Sequence, residues 1–135
     1  MRLQLTFGLA SLAACLAAAA PAVAKPKGAF IGPGTYSPAD GCQKFAKLAA
    51  GTLLPNIENY PEKLTADGFY SWEGGCTFLT VRKLRASVWV TRMFCAEGSV
   101  EERNTTTFVK LKGDRWRVTG NGGGLTYKRC KSAKE

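Results

Sequence analysis

Histidine is absent from this sequence of 135 residues. That gap removes Ser-His-Asp and Cys-His nucleophile systems, histidine zinc ligands and the usual proton shuttle near neutral pH. Acidic residues are scarce as well: 10 Asp+Glu stand against 19 Lys+Arg, a formal net charge of +9. No two cysteines show the C-x-x-C spacing of a thiolate metal site. No metal and no cofactor is therefore expected. Glu97, Glu101, Glu102 and Asp114 could supply a carboxylate pair for acid–base work. Glu97 and Asp114 read as turn residues, however, and nothing sets two of the four at a defined separation. The expectation is a protein without a catalytic site.

What is present first is an apolar leader. Arg2 is the only charge before Lys25, Leu3, Leu5, Phe7, Leu9 and Leu12 lie among many alanines, and Ala22-Val23-Ala24 offers a small-x-small cleavage pattern. Residues 1–24 are expected to be a secretory signal peptide, with Pro21 arguing against a retained anchor. A second reading takes Leu12-Ala13-Ala14-Cys15 as a lipobox, in which Cys15 would be lipidated. Either way Cys42, Cys76, Cys95 and Cys130 remain, an even set that reads as two disulfides in an oxidising compartment. The expected location is periplasmic or secreted, with anchoring through Cys15 as the alternative, and with no transmembrane anchor in the mature chain.

Residues 25–36 carry Pro26, Gly28, Gly32, Pro33 and Gly34 and read as an extended lead-in. Residues 37–135 are expected to form a single domain, since one core usually takes about 100–150 residues. Ser37-Pro38-Ala39-Asp40 resembles a helix start with Ser37 as the cap. Cys42, Phe45, Ala46 and Ala49 follow at i, i+3, i+4, i+7, predicting a short helix over about Pro38–Ala50 that packs by this face. Pro55 and Pro61 deny the next stretch a long helix or central strand, and Leu53, Leu54, Ile57 and Leu64 are expected to cover one end of the core. From Gly68 onward the composition is that of strands: Phe69–Glu73, Cys76–Leu84, Val88–Ala96, Val100–Lys112, Arg115–Thr119 and Leu125–Cys130. The fold class is thus α+β, mainly antiparallel β. One short N-terminal helix packs on a curled meander of about six strands, a small barrel or half-barrel.

Two hairpin registers follow. A two-residue Gly113-Asp114 turn would set Lys112 opposite Arg115, Leu111 opposite Trp116, Lys110 opposite Arg117 and Val109 opposite Val118. Lys110, Lys112, Arg115 and Arg117 would then share the outer face in directly opposed like-charged pairs, which cost roughly 0.2–1 kcal/mol each. A bend at Arg85-Ala86 would set Val81 against Val90, Phe78 against Met93 and Cys76 against Cys95. That register implies a Cys76–Cys95 bridge, and Cys42–Cys130 follows by elimination.

The segments Ser71-Trp72-Glu73-Gly74-Gly75-Cys76, Cys95-Ala96-Glu97-Gly98, Gly113-Asp114-Arg115-Trp116-Arg117-Val118 and Tyr127-Lys128-Arg129-Cys130 together resemble a pattern of small exported bacterial β-domains. The resemblance covers about the C-terminal half of the chain. It implies a disulfide-bonded β-domain of the bacterial envelope and carries no functional residues with it.

Function is expected at the surface. The basic stripe Lys110, Lys112, Arg115, Arg117 is the candidate anion or partner site, with Arg82, Lys83, Arg85, Lys128, Arg129, Lys131 and Lys134 adding to the positive field. The expected partner is an anionic envelope component or an acidic protein. The competing reading is a solvated outer face and edge protection by lysine. Nucleic acid is not expected, as no helix-turn-helix or RNP-like signature occurs. Tyr70, Trp72, Phe78, Trp89, Phe94 and Trp116 are read as core packing before a ligand pocket. The alternative function is a small inhibitor of a secreted hydrolase, presenting loops at Ala96–Ser99 and Asn121–Gly124.

Overall fold

The computed structural model describes residues 30–120 and 123–131. The expected leader, Cys15, residues 25–29 of the lead-in, Asn121-Gly122 and Lys134 lie outside the described residues. The elements run β1 (Tyr36–Pro38), α1 (Gly41–Ala49), β2 (Lys63–Leu64), β3 (Gly68–Tyr70), β4 (Gly74–Arg85), β5 (Val88–Glu97), β6 (Val100–Leu111), β7 (Arg115–Gly120) and β8 (Gly123–Arg129). Each strand pairs antiparallel with the next, and β8 returns to β1 through Tyr36 opposite Arg129 and Pro38 opposite Tyr127. The sheet is a closed eight-stranded barrel, not a meander of about six. The two missed strands, β1 and β2, have three and two residues, too few for a period-two pattern to register.

The helix also starts later than expected, and it follows a strand. Ser37 is not its cap: Ser37 lies in β1, fully buried, and its Oγ donates to the Glu62 carbonyl at 2.6 Å. Asp40 occupies the cap position without a side-chain hydrogen bond. Gly41, the first helical residue, is pressed onto Ser37, and a β-carbon there would collide with the Ser37 hydroxyl. Further along, Gly74-Gly75 opens β4 instead of merely ending a strand. A side chain at Gly74 would meet the Ala96 carbonyl, and one at Gly75 the Phe69 carbonyl.

An eight-stranded barrel is just wide enough for side chains to fill. Here the filling is aromatic: Tyr36, Phe69, Phe78, Phe108, Trp116 and Tyr127 are buried with Leu64, Met93 and Val118. Burying a large apolar side chain stabilises by about 1.5–3 kcal/mol. Leu64 alone, among the four residues expected to cover one end, is in this core; Leu54 and Ile57 are 77% and 58% exposed. The lead-in is part of the core too. Ile31 is fully buried, and the Phe30 ring lies 5.1 Å from Phe108, 5.5 Å from Trp116, 5.6 Å from Phe78 and 5.7 Å from Trp89.

The bonds Cys76–Cys95 and Cys42–Cys130 span 19 and 88 residues. In the chain-entropy model such loops contribute about 3 and 4–5 kcal/mol. Cys76 does oppose Cys95, and Phe78 opposes Met93. Irregularities between Phe78 and Thr80 and between Lys83 and Arg85 then shift the pairing, so Val81 meets Thr91, not Val90, and the turn is Ala86-Ser87.

Two expected outcomes follow. Phe30→Ala should cost about 3 kcal/mol, read as a lower urea midpoint at constant slope, because four ring contacts are lost together. Tyr127 is buried and donates to Glu62 Oε1; burial first, then this bond and the Glu62 charge, raise its pKa above the ordinary 10.0. The unfolded chain therefore ionises this phenol first. Stability should be intact below pH 10 and fall by up to about 1.4 kcal/mol per pH unit above it. In Tyr127→Phe the alkaline slope should be shallower by one proton, measured by denaturation between pH 9 and 11.

Candidate functional site

The Lys112-Gly113-Asp114 turn has three residues, with Leu111 opposite Arg115, Lys110 opposite Trp116 and Val109 opposite Arg117. This overturns the two-residue register and the facings of Val109, Lys110, Leu111 and Lys112 drawn from it, while Trp116 and Val118 face in and Arg115 and Arg117 face out as expected. Phe108, Trp116 and Val118 point inward, so Lys110 belongs to the inner face at the barrel mouth. Its Nζ lies 5.8 Å from the Trp116 ring centroid. Lys112 is in the turn, while Arg115 and Arg117 face outward beside Leu111 and Val109. The four expected cations do not form one stripe. The like-charge opposition exists one strand further on: Arg115 stands directly across from Lys128.

That pair borders a wide concavity. An open groove of about 1280 Å³ runs between α1 and the barrel wall. One side is the helix face Cys42, Phe45, Ala46 and Ala49, with Tyr60 beside it; the other carries Lys63, Arg115, Lys128, Arg129 and Lys131. The Cys42–Cys130 bridge holds the two sides together. The helix face was expected to be packed. Instead Phe45 is half-buried and Ala46 and Ala49 are exposed, their small side chains lining the groove without filling it. Phe45 packs sideways on Tyr60 at 5.6 Å, and Tyr60 on Trp72 at 5.9 Å. The available signal was the basic run Lys128-Arg129 and Lys131 around Cys130, which a Cys42–Cys130 bridge must bring to the helix.

Charge here is poorly compensated. Two salt bridges form among the described residues, Arg129 to Asp114 at 3.7 Å and Lys44 to Asp40 at 3.9 Å. Both are exposed and weak. Closure also removes one bland explanation for the outer cations: a closed barrel has no edge for lysine to protect.

Two of the four candidate carboxylates come to one place, beside a third acid, Glu62. Glu97 and Glu102 line a separate cleft of about 230 Å³ over the Cys76–Cys95 bridge, where Asn104 Nδ2 donates to Glu102 at 2.7 Å. Glu101 alternates with Glu102 and faces outward, and Asp114 lies in the β6–β7 turn. Among the six aromatics read as core, Phe78 and Trp116 are buried and Trp89 packs against them. Tyr70 is half-buried and Phe94 faces out, and Trp72 is 49% exposed. No helix among the described residues is long and apolar enough to cross a membrane, and no group of three potential metal ligands occurs among them. Comparison with family models, curated proteins and solved structures finds no match.

Arg115→Glu should raise stability by roughly 0.5 kcal/mol through an attractive cross-strand pair with Lys128. The gain should shrink in high salt, as thermal melts at two ionic strengths would show.

Proposed function

We propose that this protein is an exported, non-enzymatic binding domain that takes an anionic lipid into the groove between α1 and the β7–β8 wall. The observation that carries the reading is an apolar helix face left uncovered beside a wall of five cations whose one lining acid, Asp114, pairs weakly with Arg129. Arg115, Lys128 and Lys131 would meet the phosphate or carboxylate, with Arg as the bidentate partner. Phe45, Ala46, Ala49 and Tyr60 would cover the apolar part. Burying roughly 100 Å² of apolar surface there contributes on the order of 2.5 kcal/mol, comparable to two surface charges near an anionic membrane. Two disulfides suit the oxidising compartment in which such a lipid would be met. The inhibitor reading has less support: Glu97 pairs with Val100, so the Ala96–Ser99 segment is a tight turn with no projecting loop.

Sedimentation with phosphatidylcholine vesicles, with and without phosphatidylglycerol, tests this. Binding should require phosphatidylglycerol and weaken with salt. An Arg115→Ser/Lys128→Ser/Lys131→Ser variant should lose on the order of 100-fold in affinity, at about 1 kcal/mol per charge. Phe45→Ser should weaken the binding that remains in high salt. Equal binding to both vesicle types, or by both proteins, would overturn the proposal.

A further inference from the structure

A second cationic feature lies on the barrel wall formed by β4, β5 and β6, away from the groove. On the outer face Arg82 is opposite Val90, Arg92 is opposite both Thr80 and Thr105, and Arg103 is opposite Phe94. Arg92 is two residues beyond Val90, and Arg103 two before Thr105. The three arginines are therefore successive diagonal neighbours across three adjacent strands, about 7–8 Å apart per step. All three are exposed, and neither salt bridge among the described residues involves them. Glu101, two residues from Arg103 on the same face, is the acid that ends the row.

The row has no structural purpose that the fold discloses. The bulge after Phe78 sets its register, for without it Arg82 would pair with Trp89 and fall out of line. Placing like charges in a diagonal series works against stability. All three are arginine, whose planar fork binds oxyanions bidentately where lysine acts as a point charge. Between and beside them stand hydroxyls, from Thr80, Thr105 and Thr107, which suit neutral hydroxyl-bearing partners. A single aromatic, Phe94, faces out here, and single-stranded nucleic acid is usually held on a succession of such rings.

We infer that Arg82, Arg92 and Arg103 form a binding row for a linear acidic polysaccharide, one oxyanion to each guanidinium and sugar hydroxyls to the threonines. Strand order puts β5 four strands from β1 around the closed barrel, so this row and the groove point in different directions and can be occupied independently.

Heparin is the probe, titrated against the full chain at several salt concentrations. Wild type should bind with a logarithmic salt slope that falls by about two in Arg82→Gln/Arg92→Gln/Arg103→Gln, from lost counterion release, with affinity at least roughly tenfold weaker. The Lys triple variant keeps the charge and should bind between the two. The Arg115→Ser/Lys128→Ser/Lys131→Ser groove variant should bind heparin as wild type does, and the Gln variant should keep its vesicle binding. Unchanged heparin affinity in the Gln variant would overturn the row. A Lys variant equal to wild type would overturn the forked contacts. Tighter binding of single-stranded DNA than of heparin of equal charge would overturn the polysaccharide assignment.

Discussion

The interior of a closed eight-stranded barrel has to be filled, and most features of this chain answer that demand. Seven large rings, including the one Phe30 brings in from outside the sheet, pack edge-on, tilted or stacked at centroid separations of 5.1–6.0 Å. Such pairs add to the transfer free energy of the area they bury. Among the described residues these side chains fill the lumen. The recognition proposed here is thus left to the outer wall and to α1, which lies outside the sheet.

The long strands were readable because each is a run of β-branched and aromatic residues between turn residues. The disulfide-bearing end of the β4–β5 hairpin was readable for the same reason. What could not be read was register beyond the first irregularity. Leu79 looks like any other strand residue, yet the extra position it occupies moves Val81 from Val90 to Thr91. One added turn residue, Lys112, likewise carries Lys110 from the solvent side to the ring of Trp116. A period of two makes such slips absolute: a shift by one residue exchanges the faces. The four cations were expected to share one face, but their grouping depends on register, and so it changed.

The helix shows a different limit. Its apolar periodicity is real, and periodicity says that one face avoids water or a partner avoids it later. It does not say which. Cys42 reaches the wall through its bridge to Cys130, whereas Ala46 and Ala49 carry single methyl groups, and the groove lies over them. Ser37 itself was read as a cap from its neighbours Pro38 and Asp40. Tertiary pairing of a three-residue strand with β8 outweighed that local preference.

The seam between β1 and β8 joins residues 36–38 to residues 127–129. During synthesis the first of these strands is made long before its partner exists. The hairpins from β4 to β7 need only local chain, whereas the ring cannot shut until the final strand emerges. Until then both borders of the open sheet are unpaired and adhesive, and the 42–130 crosslink has no second thiol to find. Under the export proposed above, a carrier that holds the chain unfolded would cover these borders during the interval in which they are bare.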